Sequence, residues 1–256
     1  MSTLTSRHEH IINKLKEKGT VYVANLCKEL DVSSVTIRKD LKFLEDKTLL
    51  FRTHGGATLN NPYMPDRHVN EKIMMQAAEK QKIGECAAGL IVPNDCILIA
   101  SGTTVLYLAK NIAASGHLTV ITAALNVALE LIHHPDVDVI QLGGQVRRTS
   151  ASVTGTYAGN MLDDFSCSKL FLGVDGVDTE YGITTTNMME AQLNRKMIES
   201  SQKTIVLADS SKFGKRGFGK ICGMEDVDMI ITDNNISEHT ADSLRAMGVE
   251  VIIVKV

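Results

Sequence analysis

The sequence predicts an α/β protein: a small N-terminal winged helix-turn-helix domain followed by a mostly parallel, Rossmann-like α/β domain. Three observations lead there. Within the first 59 residues a helix with a polar tip is followed by a basic, glycine-closed hairpin. A break rich in Pro and Asn follows at 60–65, and from residue 93 short β-rich runs alternate with helical patterns to the C-terminus. Alternation of that kind implies a parallel sheet covered on both faces. The predicted domains are residues 1–59, a linker at 60–70, and residues 71–256.

The elements follow in order. Ser6-Arg7-His8-Glu9 reads as a capping box opening a helix to about Lys18, with Ile11, Ile12 and Leu15 on one face. Gly19 stops it. Residues 20–22 are β-rich, and a second helix is predicted over 23–30. Asp31-Val32-Ser33 forms a turn, and Ser33 caps a third helix, its hydroxyl accepting a backbone N–H. Ile37, Leu41 and Leu44 fall at i, i+4 and i+7 and anchor that helix. Ser34, Val35, Arg38, Lys39 and Lys42 are left on its other side. Residues 48–51 and 57–59 bracket Thr53-His54-Gly55-Gly56 as the arms of a hairpin. Two prolines and paired asparagines then mark a boundary or hinge. A helix-prone stretch from Glu71 to about Leu90 follows, with the role of a connector. Beyond it, β-rich runs at 96–100, 119–121, 137–142, 169–172, 204–207, 229–231 and 249–254 alternate with helical patterns such as 105–114, 124–133, 187–200 and 237–247.

Composition narrows the function. Aromatic residues make up 4% of the chain and Trp is absent, which weighs against a single-strand binder built on stacking platforms. The net charge of −3 hides an asymmetry: residues 1–56 carry ten Lys and Arg against seven Asp and Glu, and the remainder carries 17 against 23. A basic head on an acidic body suits a protein whose head alone touches nucleic acid. Five cysteines, an odd number and far apart with no C-x-x-C pair, read as free thiols in a reducing cytosol. His133 and His134 are adjacent and diverge by about 100° on a helix, so they do not converge on a metal. Neither a metal nor a cofactor is expected. Nothing N-terminal resembles a signal peptide, and no apolar run approaches the roughly 20 residues of a membrane span. A cytoplasmic protein is expected.

A helix with a polar tip beside a wing fits the major groove of duplex DNA. Ser33, Ser34, Val35, Thr36, Arg38, Lys39, Lys42, Arg52 and His54 are the candidate contacts. In open parallel sheets, ligands bind beyond the carboxyl ends of the strands. Ser101-Gly102-Thr103-Thr104 follows the first run and opens a helix, a place for an anion. Gly143 and Gly144 form a close turn leading to Arg147 and Arg148, guanidinium groups suited to phosphate. Asp175-Gly176 and Asp209-Ser210-Ser211-Lys212 follow two further runs. Acceptors for sugar hydroxyls and donors for phosphate meet on one rim, so a small phosphorylated, hydroxylated metabolite is the expected ligand.

These motifs resemble the DeoR family of bacterial transcriptional regulators along nearly the whole chain. Ser33 through Leu41 matches the family's helix-turn-helix pattern, and Arg52-Thr53-His54-Gly55-Gly56-Ala57 its wing. Ser101–104, Gly143-Gly144, Asp175-Gly176 and the run from Asp209 through Gly214 match its sugar-phosphate sensor. The resemblance implies a repressor of a carbohydrate operon, an oligomer of at least two chains, and a phosphorylated sugar as effector. It also implies a sensor fold related to ribose-5-phosphate isomerase, which supplies the rival reading of an enzyme. Asp175, Asp178 and Glu190 match that enzyme's carboxylates. Residues 179–189 contain no Lys or Arg to steady an enediolate, so the carboxylates read as hydroxyl acceptors and no catalytic residue is assigned.

Overall fold

The computed structural model describes residues 5–47, 49–53, 55–58, 66–113 and 116–256, with the backbone alone at Lys16. The chain divides into two compact units, Met1–Met64 and Pro65–Val256.

In the first unit the cap of α1 (Ser6–Lys18) lies one residue earlier than the Ser6 expected from the sequence. Thr5 is the N-cap, its hydroxyl accepting from His8 N–H while His8 Nδ1 accepts from Thr5 N–H. The imidazole takes the reciprocal part usually played by Glu or Gln, which is why the pattern pointed to Ser6 and Glu9. β1 (Thr20–Tyr22) leads into α2 (Val23–Leu30), and Ser33 caps α3 (Ser34–Asp46) through Thr36 N–H. β2 (Phe51–Thr53) and β3 (Gly56–Thr58) complete a three-stranded antiparallel sheet ordered β1-β3-β2. A side chain at Gly56 would collide with the Val21 carbonyl, so the wing closes on β1 only with glycine there. Ile11, Leu15, Leu26, Ile37, Leu41, Leu44 and Leu50 form the core.

The second unit opens with α4 (Val69–Met74) and α5 (Ala77–Ala88). The single connector helix expected over 71–90 is therefore two helices. Met75 is extended and Gln76 adopts a left-handed conformation, φ 51°. α5 buries Ile83 and Ala87 in the core and is part of the domain body.

Next come β4 (Cys96–Ile99), α6 (Thr103–Lys110), β5 (Leu118–Thr122), α7 (Leu125–Leu131) and β6 (Val137–Gln141). A hairpin of β7 (Gln145–Arg147) and β8 (Ser152–Thr154) precedes α8 (Thr156–Leu162) and β9 (Lys169–Gly173). β10 (Gly176–Asp178), β11 (Gly182–Thr185), α9 (Met188–Glu199), β12 (Thr204–Leu207), β13 (Gly219–Cys222), β14 (Met229–Asp233), α10 (Glu238–Ala246) and β15 (Glu250–Val254) finish the chain.

Seven strands form one parallel sheet in the order β15-β14-β12-β9-β4-β5-β6. All seven runs read from the sequence enter it. One face packs on α5, α6 and α7 through Ile83, Val105, Leu108 and Val127. The other packs on α8, α9 and α10 through Leu162, Met197 and Leu244. The order reverses between β4 and β9, which makes their carboxyl ends the place for a ligand. The sequence reading did not anticipate the β7–β8 hairpin or the small antiparallel sheet β10-β11-β13. Among the described residues no helix is long and apolar enough to cross a membrane, and no cluster of His, Cys, Asp and Glu suits a metal. The five cysteines are free thiols.

Candidate functional site

Two surfaces carry the chemistry, one on each unit. On α3 the buried stripe is Ile37, Asp40, Leu41 and Leu44, which leaves Ser34, Val35, Arg38, Lys39 and Lys42 exposed. Asp40 is the unusual member of that stripe. It accepts from Arg7 and from His8 Nε2 at 3.2 Å, and the His8 ring stacks on Phe43 with centroids 4.7 Å apart. Burial alone would raise the Asp40 carboxyl, but the Arg7 and His8 contacts outweigh it and hold it below its ordinary value. The carboxylate is thus kept off the exposed face.

The side chains of Arg38, Lys39 and Lys42 have no hydrogen-bond or ion-pair partner among the described residues. Val35 is 58% exposed. The Ser33 and Thr36 hydroxyls bond each other at 3.0 Å across the helix cap. Arg52 leans on Glu45, Nε to Oε2 at 2.9 Å, while its own backbone N–H donates to Glu45 Oε1. His54 lies outside the described residues.

On the second unit a cleft opens at the carboxyl ends of β4 and β9. Ser101 and Gly102 line it where they lead into α6, and Thr103 and Thr104 form that helix's first turn. No side chain caps the helix. Gly173, Val174 and Asp175 come from the end of β9, Thr185 from β11, and Glu190 and Asn194 from α9. Lys212 faces them, Thr149 and Ser150 come from the β7–β8 turn, and α4 adds Val69 and Lys72.

The carboxylates are ordered from several sides. Asp175 Oδ1 accepts from Lys72 Nζ at 2.8 Å, and Oδ2 accepts from Thr185 Oγ1 at 3.0 Å and Thr186 N–H at 3.1 Å. Burial pushes its pKa up, yet the Lys72 ammonium, the Lys212 charge and the Thr186 N–H together hold it down at about 2. Glu190 Oε1 accepts from Arg147 at 3.1 Å and from Ser152 Oγ at 3.2 Å. Lys80 is 2% exposed, and its ammonium donates to the carbonyls of Lys72 and Met75, both at 2.5 Å. Burial, with the nearby Lys212 and Lys72 charges and against the pull of Asp209, brings it down to about 8.

Of the residues singled out in the sequence, Ser101, Gly102, Thr103, Thr104, Asp175, Glu190 and Lys212 line the cleft together. Others support it from outside. Arg147 stands behind Glu190 and also pairs with Asp66. Gly176 lies in β10, where a Cβ would meet Thr184 Oγ1 at 2.6 Å. Gly144 backs against the Thr154 carbonyl, and Gly143 N–H lies 3.2 Å from Met161 Sδ.

Asp209 is buried. Its Oδ1 accepts from Ser211 N–H at 3.1 Å, and Oδ2 has no donor among the described residues. Ser210 N–H donates to Asp233 Oδ2 at 2.6 Å, so this turn presents Lys212. Asp178 is elsewhere. It pairs with Arg216 at 2.8 and 2.9 Å and accepts the N–H groups of Glu180 and Tyr181, which closes the β10–β11 turn. The enzyme-like arrangement of three carboxylates around one ligand is not formed.

Lys72, Thr149, Ser150, Thr185 and Asn194 were missed. The rule of strand ends looks only after strands, and Lys72 arrives from a helix before the first one. Its signal was a lysine in a stretch read as a connector.

Residues 7–63 match the family described as the DeoR-like helix-turn-helix domain, and residues 75–234 the DeoR C terminal sensor domain. The chain belongs to the DeoR family. It is a DNA-binding transcriptional regulator. It is 37% identical to the putative aga operon transcriptional repressor of Escherichia coli O157:H7, over 98% of this chain and 94% of that protein. It is 31% identical to the HTH-type transcriptional repressor GlcR of Bacillus subtilis (strain 168), over 95% of this chain and 93% of that one. Ribose 5-phosphate isomerase A of Methanocaldococcus jannaschii aligns with a TM-score of 0.42 and 14% identity, over 55% of this chain and 56% of that one. That likeness is too distant to bear on function.

Proposed function

We propose that this DeoR-family regulator is a cytoplasmic repressor of a carbohydrate-metabolism operon and is controlled by a phosphorylated sugar held in the cleft. α3 enters the major groove. Ser34, Thr36 and Arg38 meet base edges or neighbouring phosphates, and Val35 meets a thymine methyl. Lys39, Lys42, Arg52 and His54 contact phosphate and set orientation, and Ser33 fixes the helix start. One such head makes too few contacts for a unique address, so the regulator works as at least a dimer on paired half-sites.

The observation that carries the effector reading is the charge arrangement where β4 and β9 part. A buried, ionised Asp175 sits beside Lys72 and within reach of Lys212, next to a helix start with no side-chain cap. Carboxylates and threonines accept sugar hydroxyls, while the ammonium groups and the α6 N-terminus attract phosphate.

The test is thermal denaturation with ribose 5-phosphate, fructose 1-phosphate, glucosamine 6-phosphate and the matching unphosphorylated sugars. A ligand of the folded state raises Tm. A rise with at least one phosphorylated sugar and none with its parent sugar is expected. A flat response to the whole panel overturns the effector reading.

A further inference from the structure

The second unit begins with a short segment, Asp66 to Met75, that is joined through the chain to the DNA-binding unit and also forms a wall of the cleft. Three polar clasps hold it. The Asp66 carboxylate takes the Arg147 guanidinium on Oδ2 and the Thr186 hydroxyl on Oδ1 at 3.1 Å. Val69 N–H donates to the Thr149 carbonyl at 2.7 Å. Lys72 Nζ donates to Asp175 Oδ1 at 2.8 Å. Beyond the last clasp α4 ends after six residues, and the buried Lys80 ammonium satisfies its carbonyls.

The clasps use groups that a sugar phosphate would also use. Arg147 is shared between Asp66 and Glu190. Thr186 Oγ1 lies 3.1 Å from Asp66 and 3.3 Å from Asp175, and its single hydrogen serves one of them at a time. Lys72 serves Asp175 with the charge that a phosphate would attract. Hydroxyls donating to Asp175 and Glu190, together with anionic oxygens near Lys72 and Arg147, compete for the partners that fasten the segment.

Resting on the effector reading above, we infer that Asp66–Met75 is a ligand-released strap. A phosphorylated sugar draws Lys72 and Arg147 away from Asp175 and Asp66, and the segment that continues in sequence toward the DNA-binding unit comes free. The ligand prefers the open state because only there do both cations turn to it, and such a preference is what a population shift requires. Linkage then sets the sign of a mutational test. Loosening the strap beforehand tightens ligand binding and weakens operator binding.

The test compares wild type, Asp66→Asn and Asp66→Glu in the full chain. Asp66 does not line the cleft, so a purely structural role would leave ligand affinity unchanged or lower it. Asp66→Asn is expected to bind the panel sugar phosphate that raises wild-type Tm several-fold more tightly. It should also bind about tenfold more weakly to a duplex selected from a random library by the wild-type protein. Hydrogen exchange at the amides of 69–74 should be faster, and Asp66→Glu should behave as wild type.

The exchange and DNA arms need no ligand, so they judge the strap even if every panel compound fails, a result that would sink the effector reading alone. Asp66→Asn with wild-type exchange at 69–74 overturns the strap, as does unchanged affinity for the selected duplex. A folded variant that binds the sugar phosphate more weakly than wild type also overturns it.

Discussion

Arg7, near the start of α1, grips Asp40 of α3 with two parallel hydrogen bonds, Nε to Oδ2 at 2.5 Å and NH2 to Oδ1 at 2.9 Å. The fork fixes the rotation of α3 about its own axis and so decides which of its side chains are exposed. Asp40→Ala is expected to destabilise the first unit by about 1–3 kcal/mol, because it leaves Arg7 and His8 without their acceptor. Chemical denaturation of the full chain, followed by a probe in residues 5–58, measures this. The folded Asp40 pKa is depressed, so its contribution is present above the usual carboxylate range and fades as pH falls below about 4.

Arg38 and Lys42 share the exposed face of α3 but have different expected roles. Arg38→Ala relaxes sequence preference at a cost of about 1–3 kcal/mol, while Lys42→Ala weakens binding to every duplex and lowers the salt slope by about 1. Titrations at several salt concentrations, on specific and scrambled duplexes, separate them. Equal proportional losses on both duplexes for both variants would refute this division.

Lys212 and Arg147 were expected from the sequence to behave alike. The structure separates them, because Lys212 lines the cleft and Arg147 pairs with both Glu190 and Asp66. Lys212→Ala is expected to abolish the thermal shift with sugar phosphates and keep full operator affinity. Arg147→Ala is expected to lower operator affinity as well, since it undoes the Asp66 clasp. Calorimetry and gel-shift titration on the two variants check this. Identical behaviour would remove the distinction.

Two buried charges shape stability at the two ends of the pH range, and in both windows stability rises with pH. The folded Asp175 pKa of about 2 lies below the unfolded value of about 3.9. Its contribution of roughly 2 kcal/mol is complete above pH 4 and is lost as pH falls toward 2. Asp175→Asn should flatten that acid limb. The Lys80 pKa of about 8 lies below the unfolded value of about 10.4. Between those two pH values the unfolded chain binds the extra proton, so stability rises with pH there, and Lys80→Met should flatten that rise. Unfolding free energies across both windows provide the measurement.

Much of the fold was legible because its signals are local. The Ser33 cap, the Ile37-Leu41-Leu44 stripe and the seven β-rich runs each depend on neighbours in sequence. The parts that escaped depend on distant partners. The break at Met75 and Gln76 is stabilised by Lys80, whose ammonium reaches back to carbonyls no helical pattern reveals. Asp178 looked like a ligand acceptor until Arg216, 38 residues on, proved to be its partner. Asp40 carries no local signal of burial, and only the return of α1 makes it part of the interior. Among the cleft residues, the strand-end rule found those that follow β4 and β9 and had no means of finding Lys72.

The neighbouring positions of β4 and β9 in the sheet also have a consequence for synthesis. The two strands pair through residues 97–99 and 169–171, and the cleft between them also needs Glu190, Asn194 and Lys212. The elements of the winged-helix unit are all encoded by residue 58. A ribosome therefore finishes the reading head long before the receiver exists, and sheets built from such remote strands are slow to assemble. A message truncated between those points would yield a head with no receiver attached to it.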